Sequence, residues 1–168
     1  MRVRRLNAST LEVSGIGYVE GALLWRLAAA ADPSGSAAAE ERLASSPTGG
    51  AEPGIDEDWK EHILPELREL FASAVDIVRV DLARSWVSPG TDASVRVPVK
   101  HVEAWLLALN QARLALAARH HLTEAEMESR APQDLQPGTI ARIFVNFFGH
   151  LQELLIEATE SADGAAGD

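Results

Sequence analysis

Cysteine is missing altogether from this chain of 168 residues. Its absence removes disulfides, thiolate zinc sites and cysteine nucleophiles together, and makes a cytoplasmic setting the simplest expectation. Positive charge is scarce: fifteen Lys and Arg stand against twenty-five Asp and Glu, a formal charge of -10. Such a surface repels phosphate backbones, so nucleic acid is not an expected partner. Long hydrophobic runs are lacking too. The longest, around residues 21–31, is interrupted by Arg26 and falls short of the roughly 20 residues a membrane span needs. The opening M-R-V-R-R-L is not followed by the apolar stretch and small-residue cleavage site of a secretory signal.

Several catalytic signatures are also absent. Gly15-Ile16-Gly17 has no third glycine at the required spacing, and neither G-x-x-x-x-G-K-S/T nor G-x-S-x-G occurs. Nucleotide loops and a hydrolase elbow therefore have no support. The five histidines (His62, His101, His120, His121, His150) form no H-E-x-x-H or comparable helical metal signature, so neither metal nor cofactor is expected. Asp76 and Asp81 lie about 140° apart around a helix and do not converge. With Arg79 and Arg84 they read as i, i+3 ion pairs. The reading leans away from an enzyme.

What the chain has in abundance is helical periodicity. Pro98 to Arg119 is apolar on several faces, with Val102, Trp105, Leu106, Leu109, Ala112 and Leu116 on one stripe. It predicts the central core helix, with Pro98 in its first turn. A second long helix is expected after the acidic start Asp56-Glu57-Asp58, running through Ile63, Leu67, Leu70, Phe71, Ala74, Ile77 and Val78, with a kink near Pro65. Thr139 to Thr159 predicts the third, on a stripe from Ile140 through Phe147 and Leu151 to Ala158. Val19 to Ala31 reads as a shorter helix, and T-x-x-E at Thr123 to Glu126 as a capping box that starts another. Short β-compatible runs at 2–6, 10–14 and 94–97 predict a hairpin or a small three-stranded sheet. The expected fold is mainly α: a helical bundle of three long helices with one or two short ones. One domain over 1–160 is expected, with 33–54 as a flexible loop within it that holds one short helix around Ala37 to Leu43, and 161–168 as a disordered tail.

Asn110 and Arg113 interrupt the central helix one turn apart and are the foremost site residues. The architectural reading pairs Arg113 with a carboxylate such as Glu153, Asp76 or Asp81, while Asn110 bonds to backbone. The functional reading makes them a polar pocket for an anion. Large aromatics also serve as interface anchors, and Trp59, in acidic surroundings, and Phe148 are the interface residues singled out. Phe147 and Trp86 read as core.

The segment W-L-x-x-L-N-x-x-R-L-x-L, from Trp105 to Leu116, and the late F-F-G-H-L-Q-E-L-L, from Phe147 to Leu155, resemble a bacterial helical family catalogued as domain of unknown function number 2017. The second half of the chain carries the likeness. The resemblance implies no catalytic residues. Through the neighbourhood its genes keep, it implies a role beside the adaptor of the Clp protease, hence a protein partner. The combined expectation is a non-catalytic protein-interaction module, with homo-oligomerisation left open and a small-ligand domain at Asn110 and Arg113 as the alternative.

Overall fold

The computed structural model describes residues 1–85, 93–128 and 137–163. Trp86, the S-P-G stop at 88–90, the turn at 131–136 and the tail beyond 163 lie outside them.

The chain opens with β1 (Arg2–Asn7) and β2 (Thr10–Ile16), an antiparallel pair. Their turn is fixed locally, because the Asn7 side-chain oxygen accepts from the Ser9 backbone N–H at 2.9 Å. β3 (Ala93–Pro98) adds to the other side of β2, giving an antiparallel sheet of order β1-β2-β3. Strand alternation sends Leu11, Val13, Val95 and Val97 to the covered face. Pro98 ends this strand, so the central helix begins later than its proline suggested: a 3-10 turn at Val99–His101 intervenes before α6 (Val102–Arg119).

The first helical stretch is two helices, α1 (Tyr18–Trp25) and α2 (Leu27–Ala31), broken at Arg26. The Arg26 N–H closes a tight bond to the Leu23 carbonyl at 3.1 Å, which re-aims the chain. Within 33–54 the short helix expected around 37–43 forms as α3 (Ala37–Leu43), which packs on α6 and buries Ala39 completely. The remainder of that segment is organised by Asp56. Its carboxylate accepts from the Thr48 hydroxyl at 2.8 Å, the Thr48 N–H at 3.3 Å and the Gly50 N–H at 2.7 Å.

These donors hold the Asp56 carboxyl below the ordinary aspartate value, the Thr48 hydroxyl most of all, against the opposing effect of burial. A carboxyl lowered on folding contributes fully above the unfolded aspartate range, and its contribution is lost as pH falls through the lowered folded value. Asp56→Asn should therefore release residues 46–52 at neutral pH, and acidification below the aspartate range should release them in the wild type. Limited proteolysis by a protease active across that range, scored at cuts within 46–52, checks both.

α4 (Pro53–Asp58) leads through a π-helical turn, Trp59–Ile63, into α5 (Leu64–Ser85). The kink expected at Pro65 takes this form. Without an N–H, proline cannot continue the i→i−4 ladder, and one wider turn absorbs the mismatch just before it. α7 (Glu124–Glu128) starts at the anticipated capping box, with the Thr123 N–H donating to Glu126 at 2.9 Å and the Glu126 N–H donating to the Thr123 hydroxyl at 3.3 Å. α8 (Pro137–Asp163) is longer than expected at both ends.

The protein is thus mainly helical with a small antiparallel sheet. α6 is the shared neighbour: α5, α8, α2 and α3 all pack on it. Large residues sit where these meet, Trp105, Leu109, Phe148, Leu151 and Leu155 being fully enclosed. Phe148 is therefore core and not an interface anchor. It lies edge-on to Phe144, with centroids 5.8 Å apart, and tilted against Phe147 at 5.7 Å. No helix among the described residues is long and apolar enough to cross a membrane.

Candidate binding groove

Asn110 and Arg113 part company in the structure. Asn110 faces solvent. Arg113 turns to α8, where its guanidinium donates to the Gln152 side-chain oxygen at 2.8 Å. The Gln152 amide in turn donates to the Leu106 carbonyl at 3.0 Å, so one side chain ties α8 to α6 twice. Gly149 makes room for the arrangement, since a Cβ there would lie 3.4 Å from the Arg113 guanidinium carbon. The carboxylate expected for Arg113 is replaced by a neutral amide. A carboxylate could accept from the arginine but could not also donate to the carbonyl, whereas the amide does both.

Asp76 does pair with Arg79, at 2.6 Å on the surface. Asp81 is buried and receives the His101 Nδ1 at 2.9 Å and the Trp105 indole N–H at 3.0 Å. It therefore fastens α5 to the start of α6 through three side chains. Trp59 is half-buried, with its ring nitrogen enclosed and unpaired. His150 and Glu153 approach to 3.7 Å, both exposed. Among the described residues no group of three or more His, Asp or Glu could hold a metal ion.

The groove itself was not anticipated. It opens between α2, α3 and α5 above one face of α6, with a volume of about 570 Å³. Trp25, Ala28, Leu43, Phe71 and Val75 give it apolar walls. Arg68 and Arg79 stand on the α5 rim, opposite Asp32 and Glu40. Asp32 is kept ionised by Ser34, which supplies its hydroxyl and a backbone N–H at 2.9 Å, with Arg119 adding a favourable charge.

Its floor carries Gln111, 5 % exposed. α2 is short and ends inside the protein, so its last carbonyls need donors. Gln111 Nε2 donates to the Ala31 carbonyl at 3.1 Å, and Arg119 to the Ala30 carbonyl at 3.1 Å. A carbonyl can only accept, which fixes the amide orientation and leaves Gln111 Oε1 buried without a donor. That oxygen is itself enclosed, out of reach of a donor in the groove, so what the groove offers an occupant is its apolar walls.

A sequence signal for Gln111 existed. Ala104, Ala108, Gln111, Ala115 and Ala118 recur at spacings of four and three, one polar residue centred in a stripe of alanines. Small residues let α2 and α3 approach closely, and a polar group on such a face is enclosed by them.

Fold and site together define a small, mainly helical protein with an open polar-floored groove. The family model described as Domain of unknown function (DUF2017) matches residues 8–159, and the chain belongs to that family. The likeness thus extends well beyond the second half that carried it in the sequence. Comparison with curated proteins and with solved structures returns no match.

Proposed function

We propose that the protein is a non-catalytic, cytoplasmic interaction module whose groove receives a short apolar segment of a partner protein. An open groove of about 570 Å³ with apolar walls carries this reading. A short peptide segment supplies what the groove lacks, an apolar side chain to lie against Trp25, Phe71 and Val75. The rim sets Arg68 and the Arg79–Asp76 pair on α5 opposite Asp32 and Glu40, charges of both signs that suit a segment carrying both. The family context directs the first search for that partner to the Clp protease adaptor system. The alternative, an anion-recognising pocket at Asn110 and Arg113, is less well supported, because Gln152 already engages the guanidinium and Asn110 points outward.

Selection of a random peptide library against the purified protein tests the proposal. Enriched sequences should be apolar at one or two adjacent positions. They should lose binding to Ala72→Trp, which fills the groove from an exposed position on α5. Enrichment of peptides that bind Ala72→Trp as well as the wild type would remove the groove from the proposal. Failure to enrich any sequence would remove the peptide.

A further inference from the structure

α5 is 22 residues long but buries little of itself. Its inward stripe is Leu64, Ala74, Val78, Asp81 and Leu82. A second apolar line runs along the helix beside that stripe, on the side away from the groove: Ile63, Leu70, Ile77 and Val80. Ile63, Leu70 and Val80 are 45 %, 55 % and 42 % exposed. Residues 63, 66, 70, 73, 77, 80 and 84 alternate spacings of three and four and fall within about 100° of arc, the seam geometry of a helix meant to lie along another helix.

The seam is complementary to itself in one direction. Laid antiparallel to a copy with the two-fold axis at Val75, Leu70 falls opposite Val80, Ser73 opposite Ile77, and Glu66 opposite Arg84, because the members of each pair are equidistant from residue 75. Apolar meets apolar, small meets large, and acid meets base, each twice by symmetry. The parallel arrangement would set Glu66 against Glu66 and Arg84 against Arg84. A shallow groove of about 500 Å³ lies beside Ala72, Ser73, Ile77 and Val80, where the small residues leave a hole for the partner's Ile77. Asp76 comes close to its own mate near the axis, and its charge is offset by Arg79 at 2.6 Å.

We infer that the α5 seam is an isologous interface, at which a second copy of this chain packs its own α5 antiparallel. The peptide groove opens on another face of α5 and adjoins the seam depression only at Ala72 and Asp76, so a dimer built this way presents two grooves.

Sedimentation equilibrium of the full chain tests it. The wild type should be a dimer whose melting temperature rises with protein concentration, and Leu70→Asp and Val80→Asp, both at exposed positions, should be monomers with unchanged circular dichroism and a melting temperature independent of concentration. Arg84→Glu alone should weaken the dimer by about tenfold, since two opposed pairs become repulsive, and adding Glu66→Arg should restore it. The chain lacks cysteine, so Ser73→Cys and Ile77→Cys proteins can be mixed under oxidation. Disulfide-linked heterodimers should then form in preference to either homodimer. A wild type that stays monomeric throughout, a dimer indifferent to these substitutions, or crosslinks in another register would each overturn the inference.

Discussion

Replacing Trp105 with alanine is expected to destabilise the protein by about 3–5 kcal/mol, the range for emptying a fully enclosed aromatic site. The indole is completely buried where α6 meets its neighbours, and no exposed side chain can swing in to fill the void. Part of the loss is polar. The indole N–H donates to Asp81, a carboxylate that also holds His101. Trp105→Phe keeps much of the ring but strips that donor from a buried acceptor, and should cost about 1–3 kcal/mol. Urea denaturation of the three proteins measures both steps. A Trp105→Phe protein as stable as the wild type would show that the indole N–H contributes nothing at this junction.

Gln152→Leu should cost about 1–3 kcal/mol, although the new side chain is apolar and close in volume. The amide is the acceptor for a partly buried guanidinium and a donor to α6. Its removal leaves the Arg113 charge against the Gly149 backbone with no replacement acceptor in reach, its Nε being already enclosed and unpaired. Arg113→Met in the Gln152→Leu background should recover most of the loss, because an apolar pair of similar size needs no partners. Urea midpoints for the single and double variants close the cycle. A double variant that merely sums two losses would mean that the two residues do not act on one another.

Much of the architecture was legible because short-range chemistry dictates it. The Thr123 to Glu126 capping box, the Asn7 turn, the strand at 94–97 and the proline kink before α5 each depend on a few adjacent residues, and each falls within a residue or two of its expected place. α8 was harder to orient. It is apolar over more than half its circumference, so hydrophobicity could not choose between the line through Ile140, Ile143 and Phe147 and the line through Phe144, Phe148, Leu151 and Leu155. β1 and α6 jointly cover the second, leaving Ile140 and Ile143 exposed. For the same reason Phe148 looked available as an anchor.

The site was less legible than the fold. Asn110 and Arg113 stand out because they interrupt the apolar pattern in the middle of α6, but a side chain's polarity does not say which neighbour it meets. Gln111 matters because α2 stops inside the protein and needs its last carbonyls satisfied. That requirement comes from the break at Arg26 and the approach of a distant helix, and only the assembled structure states it.

The position of α6 sets how disturbances spread. α5, with its seam, and α8, with the Arg113 tie, both rest on this helix, while β3 and the sheet lean on the outer two. Contact between the α5 surface and the α8 surface therefore runs mainly through α6 and the sheet, with a thinner route through α1 and α2. Substitutions confined to either surface should add independently, whereas a change at Trp105 or Leu109 is felt at the seam, the groove and the α8 face together. The helix is a common bearing, and the surfaces mounted on it can diverge in sequence without renegotiating with one another.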